Sequence, residues 1–234
     1  MILAAGRGER MRPLTDHLPK PLLEAGGKPL IVHLIEALAA SGCRRLVINT
    51  AHLGAAIEAA LGDGRRWGVH IGWSHEGAAL ETAGGIAFAR PQLGDLPFLV
   101  VNGDLWTDLD FAGFVARAQR ALHDPATDAH LLLVSNPVQH PAGDFWLERG
   151  RIVEPDRAAP AAAAPVRLTF AGIGLYRPGL FDRVLAGARA PLAPILFEAR
   201  DQGRLSGERC TARWLDIGTP SRLAALDEQL RAAR

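Results

Sequence analysis

The feature that most constrains this chain is an alternation. Apolar runs of strand length are separated by helix-period segments through the first 135 residues. Met1–Ala5 is an apolar run that ends at Gly6. Residues 28–41, KPLIVHLIEALAAS, place Leu30, Leu34, Ile35 and Leu38 on one helical face, with Pro29 in the first turn and Gly42 as the stop. RRLVINT, residues 44–50, reads as a buried strand. Residues 54–61 predict a short helix, and Val69, Ile71 and Trp73 alternate as in a strand. Residues 82–90 predict a helix in spite of Gly84 and Gly85. Segments 97–102, 111–122 and 130–135 then continue as strand, helix and strand. Such units imply an α/β fold: a Rossmann-like, mostly parallel sheet flanked by helices, with right-handed crossovers and ligands at the carboxyl ends of the strands.

The pattern changes after Ser135. Residues 144–147, 151–154 and 167–176 read as strands separated by turns, with a Pro/Ala loop, PDRAAPAAAAP, at 155–165. Helices are expected at about 178–187 and 191–202, and a closing helix from Pro220. The expected organisation is a single domain, 1–234. A nucleotide-binding core spans 1–135, a small antiparallel substrate-side lobe 136–216, and the closing helix 217–234.

Composition narrows the function classes. Lys and Arg number 26 against 25 Asp and Glu, so no basic footprint points to nucleic acid or a membrane surface. No apolar run approaches the roughly 18 residues of a membrane span. Two cysteines, Cys43 and Cys210, make neither a disulfide framework nor a zinc site and suit a reducing cytoplasm.

Four motifs carry chemistry. In LAAGRGERMRPLT, residues 3–15, a strand runs into Gly6 and Gly8, whose backbone N–H groups can curl around an anion, with Arg7, Arg10 and Arg12 adding positive charge. Met11 stands where a dinucleotide fingerprint has its third glycine, and Gly27-Lys28 is followed by Pro29 rather than the Ser or Thr of a P-loop. In LPKPL, two prolines hold Lys20 in a stiff, extended backbone near that loop. In VVNGD, a buried strand delivers Asp104 to its carboxyl end. In WLDIGTP, Asp216 again follows an apolar run. Either aspartate alone suits a turn or cap; beside a phosphate loop the two make a carboxylate pair for Mg²⁺. Asp108 and Asp110 form the D-x-D of many glycosyltransferases, but they stand where caps for a helix at Phe111 belong. His33 lies inside a helix and reads as structural, and the eight histidines show no metal spacing.

In this order, GRGERMRPLT, PKP, NGD and WLDIGT resemble the sugar-1-phosphate nucleotidyltransferases, the nucleoside-diphosphate-sugar pyrophosphorylases. INTAHLG, LETAGG, VNGDLWTDLDF and the GDF at Gly143–Phe145 resemble most the short bacterial N-acetylmuramate-1-phosphate uridylyltransferase branch, which serves peptidoglycan recycling. The resemblance implies that Ala4, Ala5, Gly6, Arg7 and Gly8 hold the nucleotide, that Arg10 and Lys20 contact phosphates, and that Asp104 and Asp216 bind Mg²⁺. It puts Glu76, Ala79 and Leu80 beside the base. It puts Asn102, Asn136, Gly143, Asp144, Glu154 and Ala171 towards the sugar. The implied reaction joins UTP and a sugar 1-phosphate with release of pyrophosphate, in a cytoplasmic monomer or weak homodimer without the C-terminal β-helix of many relatives. Guanylyl transfer to mannose 1-phosphate, or thymidylyl or uridylyl transfer to glucose 1-phosphate, are alternatives within the family. A D-x-D glycosyltransferase and a non-catalytic nucleotide-sugar sensor are alternatives outside it. Two departures stand out: Glu9 replaces a small hydroxyl residue, and Glu154-Pro155-Asp156 lacks the family's sugar-lobe lysine, for which Arg157 is the candidate substitute.

Overall fold

The fold follows from which strands can be buried on both faces. A computed structural model describes residues 1–154 and 165–233. The elements in order are β1 (Ile2–Leu3), a hairpin of β2 (Glu24–Ala25) and β3 (Lys28–Pro29), α1 (Leu30–Ala40), β4 (Arg45–Thr50), α2 (Gly54–Leu61), β5 (His70–His75) and α3 (Glu81–Leu93). There follow β6 (Phe98–Asn102), β7 (Leu105–Thr107), α4 (Phe111–Ala121), β8 (Ala129–Val134), β9 (Phe145–Glu148), β10 (Arg151–Val153) and β11 (Val166–Tyr176). The chain closes with α5 (Leu192–Asp201), β12 (Leu205–Arg209), β13 (Trp214–Asp216) and α6 (Pro220–Ala232).

Nine strands form one mixed sheet in the order β5-β4-β1-β6-β11-β8-β12-β10-β9. The half β5-β4-β1-β6 is parallel, as the alternation predicts. β11 runs antiparallel between β6 and β8, and β9 and β10 extend the sheet antiparallel, while β12 lies parallel to β8. The antiparallel strands expected beyond Ser135 therefore continue the main sheet rather than forming a sheet of their own. β7 pairs with β13 in a separate small ribbon.

Pleating sorts the strand side chains. Ile48, Val101 and Leu132 point to the face packed by α1, α2 and α4, whereas their neighbours Val47, Val100 and Leu131 point to the face packed by α3 and α5. A third cluster, including Met11, Leu30, Trp106, Ile217 and Leu226, sits beneath α6 and anchors the glycine loop.

Two expectations change. The helix expected at 178–187 is a 3-10 turn, Pro178–Phe181, followed by further turns. Gly187 takes a positive φ of 82°, and beyond it the backbone of Ala190 bonds the start of α3. Lys20 is not extended but opens a 3-10 turn, Lys20–Leu22, because Pro19 supplies an extended N-cap whose carbonyl accepts from Leu22. The Pro/Ala segment and Arg157 lie at 155–164, outside the described residues.

Candidate active site

β1 ends between β4 and β6, with Leu3 level with Asn49 and Asn102, so three carboxyl ends open at one place. Asn49, 3% exposed, accepts the Ala4 N–H on Oδ1 at 2.8 Å and donates from Nδ2 to Glu76 Oε1 at 2.6 Å. Glu76 Oε2 accepts the Leu80 N–H at 2.9 Å. This chain ties the glycine loop to β4 and to the residue before α3. A Cβ on Gly85 would lie 2.5 Å from Glu76 Oε1, so the glycine in that helix makes room for the network. Gly8 takes φ +68°, and its carbonyl accepts from the Met11 N–H and from Thr15 Oγ1. Fully buried Met11 plugs the loop into the third cluster, which explains why a large apolar residue stands where a dinucleotide loop has glycine.

The charged groups converge from distant elements. Lys20 is 7% exposed, and its ammonium donates to Asp104 Oδ2 at 2.6 Å. Asp104 follows β6, and its carbonyl accepts the Ile217 N–H at 2.9 Å, which brings the end of β13 alongside. Asp216 accepts from Arg222 of α6 through its carboxylate and, at 2.8 Å, through its backbone carbonyl. Thr219 caps that helix and Pro220 occupies its first turn, so WLDIGTP encodes strand, glycine turn and helix start. A Cβ on Gly218 would meet the Arg10 guanidinium at 3.0 Å and Asp216 Oδ1 at 3.1 Å, so both groups lie beside that glycine.

Two cavities meet here. One, of about 380 Å³, is lined by Ala4, Ala5, Gly6 and Gly8, by Asn49, Glu76 and Ala79, and by Lys20. The other, of about 300 Å³, is lined by Asp144, Ala171, Gly172, Trp214 and Asp216. Arg10, Asn102 and Asp104 border both. The expected phosphate, metal and base residues thus fall largely on one continuous cleft. Five of the expected residues, Arg7, Leu80, Asn136, Gly143 and Glu154, do not line it. Arg7 is exposed and pairs with Glu9 at 3.2 Å, because the loop turns its side chain outward. Leu80 is buried, and its N–H is taken up by Glu76. Asn136 donates to the Pro141 and Arg167 carbonyls and accepts from Thr169, bracing the loop that carries Gly143. Glu154 pairs with Arg200 at 2.8 Å, at the edge of the sheet. Asp144 accepts from the Phe170 N–H and binds His140, both at 2.8 Å, and Trp214 donates to the Ala171 carbonyl at 2.9 Å.

The D-x-D divides its work. Asp110 caps α4 by accepting the Gly113 N–H at 3.0 Å, while Asp108 binds Arg213 through backbone and guanidinium at 2.7 Å. Burial pushes the Asp108 carboxyl up, but the Arg213 hydrogen bonds outweigh it and hold it below its ordinary value. Neither aspartate lines the cleft. The Ala25 carbonyl accepts from His33 Nε2 at 2.9 Å, a contact that braces the β2–β3 hairpin.

Among the described residues no cluster of three or more His, Cys, Asp or Glu side chains gathers for a metal. Asp104 and Asp216 nevertheless suit Mg²⁺, which takes one or two carboxylates and fills its shell with phosphate oxygens and water. Asn49, Thr15 and Arg222 were not singled out in the sequence. The signal for Asn49 is a polar residue closing a buried apolar run, INT, as Asn102 closes VVN.

The nucleotidyl transferase family matches residues 1–141, and 52% of residues are identical, over 95% of this chain and 94% of the relative, to an N-acetylmuramate alpha-1-phosphate uridylyltransferase of Neisseria meningitidis. The chain belongs to the nucleotidyl transferase family. A second nucleotidyl transferase of that description, from Caulobacter vibrioides, is 33% identical over all of this chain and 97% of its own. The catalytic subunit beta of a Drosophila melanogaster mannose-1-phosphate guanylyltransferase is 29% identical, over 94% of this chain and 59% of its own. Among solved structures, HddC of Yersinia pseudotuberculosis complexed with GMP-PN superposes with a TM-score of 0.77 at 20% identity, covering 97% of each chain. An apo UDP-glucose pyrophosphorylase gives 0.75 at 17%, covering 100% of this chain and 98% of the other. The fold shared with these structures is a mixed sheet flanked by helices, of which the alternation predicts the parallel half and the flanking helices.

Proposed function

We propose that this nucleotidyltransferase condenses UTP with N-acetylmuramic acid 1-phosphate to give UDP-N-acetylmuramic acid and pyrophosphate, in cell-wall recycling. The observation that carries the reaction class is the meeting of Arg10, Lys20, Asp104 and Asp216 where the two cavities join. The choice of base and sugar is supported by the two uridylyltransferase relatives.

The glycine-loop cavity takes the nucleotide, with Ala4–Gly8 along the phosphates and Ala79 at the wall for the base. The second cavity takes the sugar, between Asn102, Asp144 and Ala171. A phosphate oxygen of the sugar 1-phosphate forms the new bond to the α-phosphorus, and the bond to the bridging oxygen of pyrophosphate breaks. The nucleophile is a phosphate dianion, so no side chain needs to remove a proton. The obstacle is repulsion between two anions. Lys20, fixed by its turn and nearly excluded from water, and Arg10 place positive charge where the anions meet, and act by positioning and charge stabilisation. Asp104 and Asp216 would hold Mg²⁺, whose charge screens the phosphates when bound. Glu76 acts through Asn49 and the Leu80 N–H, as a positioning residue for the nucleotide wall. Asn136 and Gly143 shape the sugar-side loop; Glu154 serves that side only if it leaves Arg200. The division into core 1–135, sugar side 136–216 and closing helix 217–234, a monomer or weak homodimer, and a cytoplasmic setting for the unpaired Cys43 and Cys210 belong to the same reading. No helix among the described residues is long and apolar enough to cross a membrane.

The test is a panel: four nucleoside triphosphates against muramic, glucosamine, glucose and mannose 1-phosphates, read by pyrophosphate release. UTP with N-acetylmuramic acid 1-phosphate is expected to lead. A preference for GTP with mannose 1-phosphate overturns the substrates and keeps the reaction; tight UDP-sugar binding with no release in any pairing overturns the enzyme.

A further inference from the structure

The first residue of α3 holds an unfavourable backbone. Among the described residues Leu53, Glu81 and Arg149 are the non-glycine positions with positive φ, and of these Glu81, at φ +62°, lines the nucleotide-side cavity. Glycine takes this conformation freely, whereas a Cβ crowds the following carbonyl. The surroundings fix it. The Ala190 carbonyl accepts the Ala83 and Gly84 N–H groups at 3.0 Å, and the Ala190 N–H donates to the Leu80 carbonyl at 3.0 Å. A Cβ on Gly84 would fall 2.4 Å from the Ala188 carbonyl oxygen, so the segment lies directly on the helix start. Backbone strain that is over-determined in this way gathers at ligand sites.

The side chain adds a second oddity. Glu81 Oε1 takes the Arg189 guanidinium at 2.9 Å, and Oε2 has no hydrogen-bond partner among the described residues. Arg189 is 71% exposed, and so open an ion pair contributes too little to account for the strain. Glu76, the other carboxylate on this wall, already accepts on both oxygens, from Asn49 and from Leu80. A carboxylate here also opposes a polyphosphate. Contact with a hydrogen-bond donor on the bound nucleoside offsets both costs.

We propose that Glu81 is a specificity-determining residue for the nucleotide. Its carboxylate, oriented by Arg189, accepts a hydrogen bond from the nucleoside, either a ribose hydroxyl or a base N–H. This rests on the nucleotidyl-transfer reading above.

The experiment compares wild type, Glu81→Gly and Arg189→Ala with UTP, 2′-deoxy-UTP, 3′-deoxy-UTP and N3-methyl-UTP at saturating sugar phosphate, and melts each protein without ligand. Glu81→Gly is expected to melt at or above the wild-type temperature, since glycine relieves the backbone. Its kcat/KM for UTP is expected to fall about tenfold or more, the scale of one hydrogen bond to a charged group. Its kcat/KM for one analogue stays at the wild-type value, a deoxy sugar if the ribose is the donor and the methylated base if uracil is. Arg189→Ala moves the same ratio less. A UTP kcat/KM within twofold of wild type, or an equal fall with all four nucleotides, overturns the assignment, as does a lowered melting temperature with unchanged discrimination. If wild type turns over no sugar phosphate with UTP, the underlying reading fails instead; calorimetric binding of the same nucleotides to wild type and Glu81→Gly then decides on Glu81 by the same ratio.

Discussion

Lys20 and Asp104 come from positions 84 residues apart in sequence and meet at 2.6 Å, with the lysine nearly excluded from water and the aspartate half open. An ammonium so placed is worth most when negative charge grows beside it. Lys20→Ala is expected to lower kcat by about 10²-fold or more at saturating UTP, the scale of losing one fixed electrostatic group; a change confined to the KM for UTP would make Lys20 a uniform binding group instead. Asp104→Ala and Asp216→Ala are expected to lower turnover by at least about 10²-fold at saturating Mg²⁺, measured by pyrophosphate release. Near-normal turnover in either variant would remove that carboxylate from the reaction. These residues were legible because short motifs carry them past a strand end. Asn49 was not, since a buried asparagine in INT is indistinguishable by itself from a strand-ending polar residue. Its role emerges from the 2.6 Å contact with Glu76, 27 residues away.

At the scale of elements, Gly84 and Gly85 looked like weaknesses in a helix. Both are contacts: Gly84 admits the Ala188 carbonyl and Gly85 the Glu76–Asn49 pair. Gly85→Ala is expected to raise the KM for UTP and lower the melting temperature by a few degrees, the result of about 1–3 kcal/mol of overpacking; an unchanged KM in a folded variant would separate the network from the nucleotide. A second link between elements joins α4 to the sheet. Glu208 of β12 accepts from Arg117 of α4 at 2.8 Å and lies 3.4 Å from His130 of β8. Burial pushes the Glu208 carboxyl up, but the hydrogen bonds from His130 and Arg117 outweigh it and bring it to about 2. That lies below the unfolded value of about 4.3, so the stabilisation is complete above about pH 4.3 and is lost as pH falls towards 2. The gap in melting temperature between wild type and Glu208→Gln is expected to stay level from about pH 7 to 5 and to close below pH 4. A gap that does not depend on pH would sink this account.

For the molecule as a whole, the two carboxylates proposed to hold Mg²⁺ each have a cation of their own, Lys20 for Asp104 and Arg222 for Asp216. The fold therefore does not depend on a metal to neutralise them. Chelation is expected to abolish turnover reversibly and to leave the melting temperature within about a degree, by calorimetry; a large drop would mean that the ion is structural. The parallel half of the sheet was readable because each strand–helix–strand step is local. The other half was not. β11 pairs with β6 and β8 across long separations and shifts register between Phe170 and Gly174, and β12 and β13 are short strands whose partners lie far back in the chain.

The place of β11 has a consequence for synthesis. During translation, the backbone amides along β6 stay bare on one side until Tyr176 has left the ribosome, because Tyr176 pairs with Phe98 and Ile173 with Val101. A nascent chain halted before that point carries an unprotected strand edge, a template for aggregation. Ribosome-bound fragments too short, and long enough, to carry residue 176 clear of the exit tunnel should differ sharply in their resistance to proteolysis.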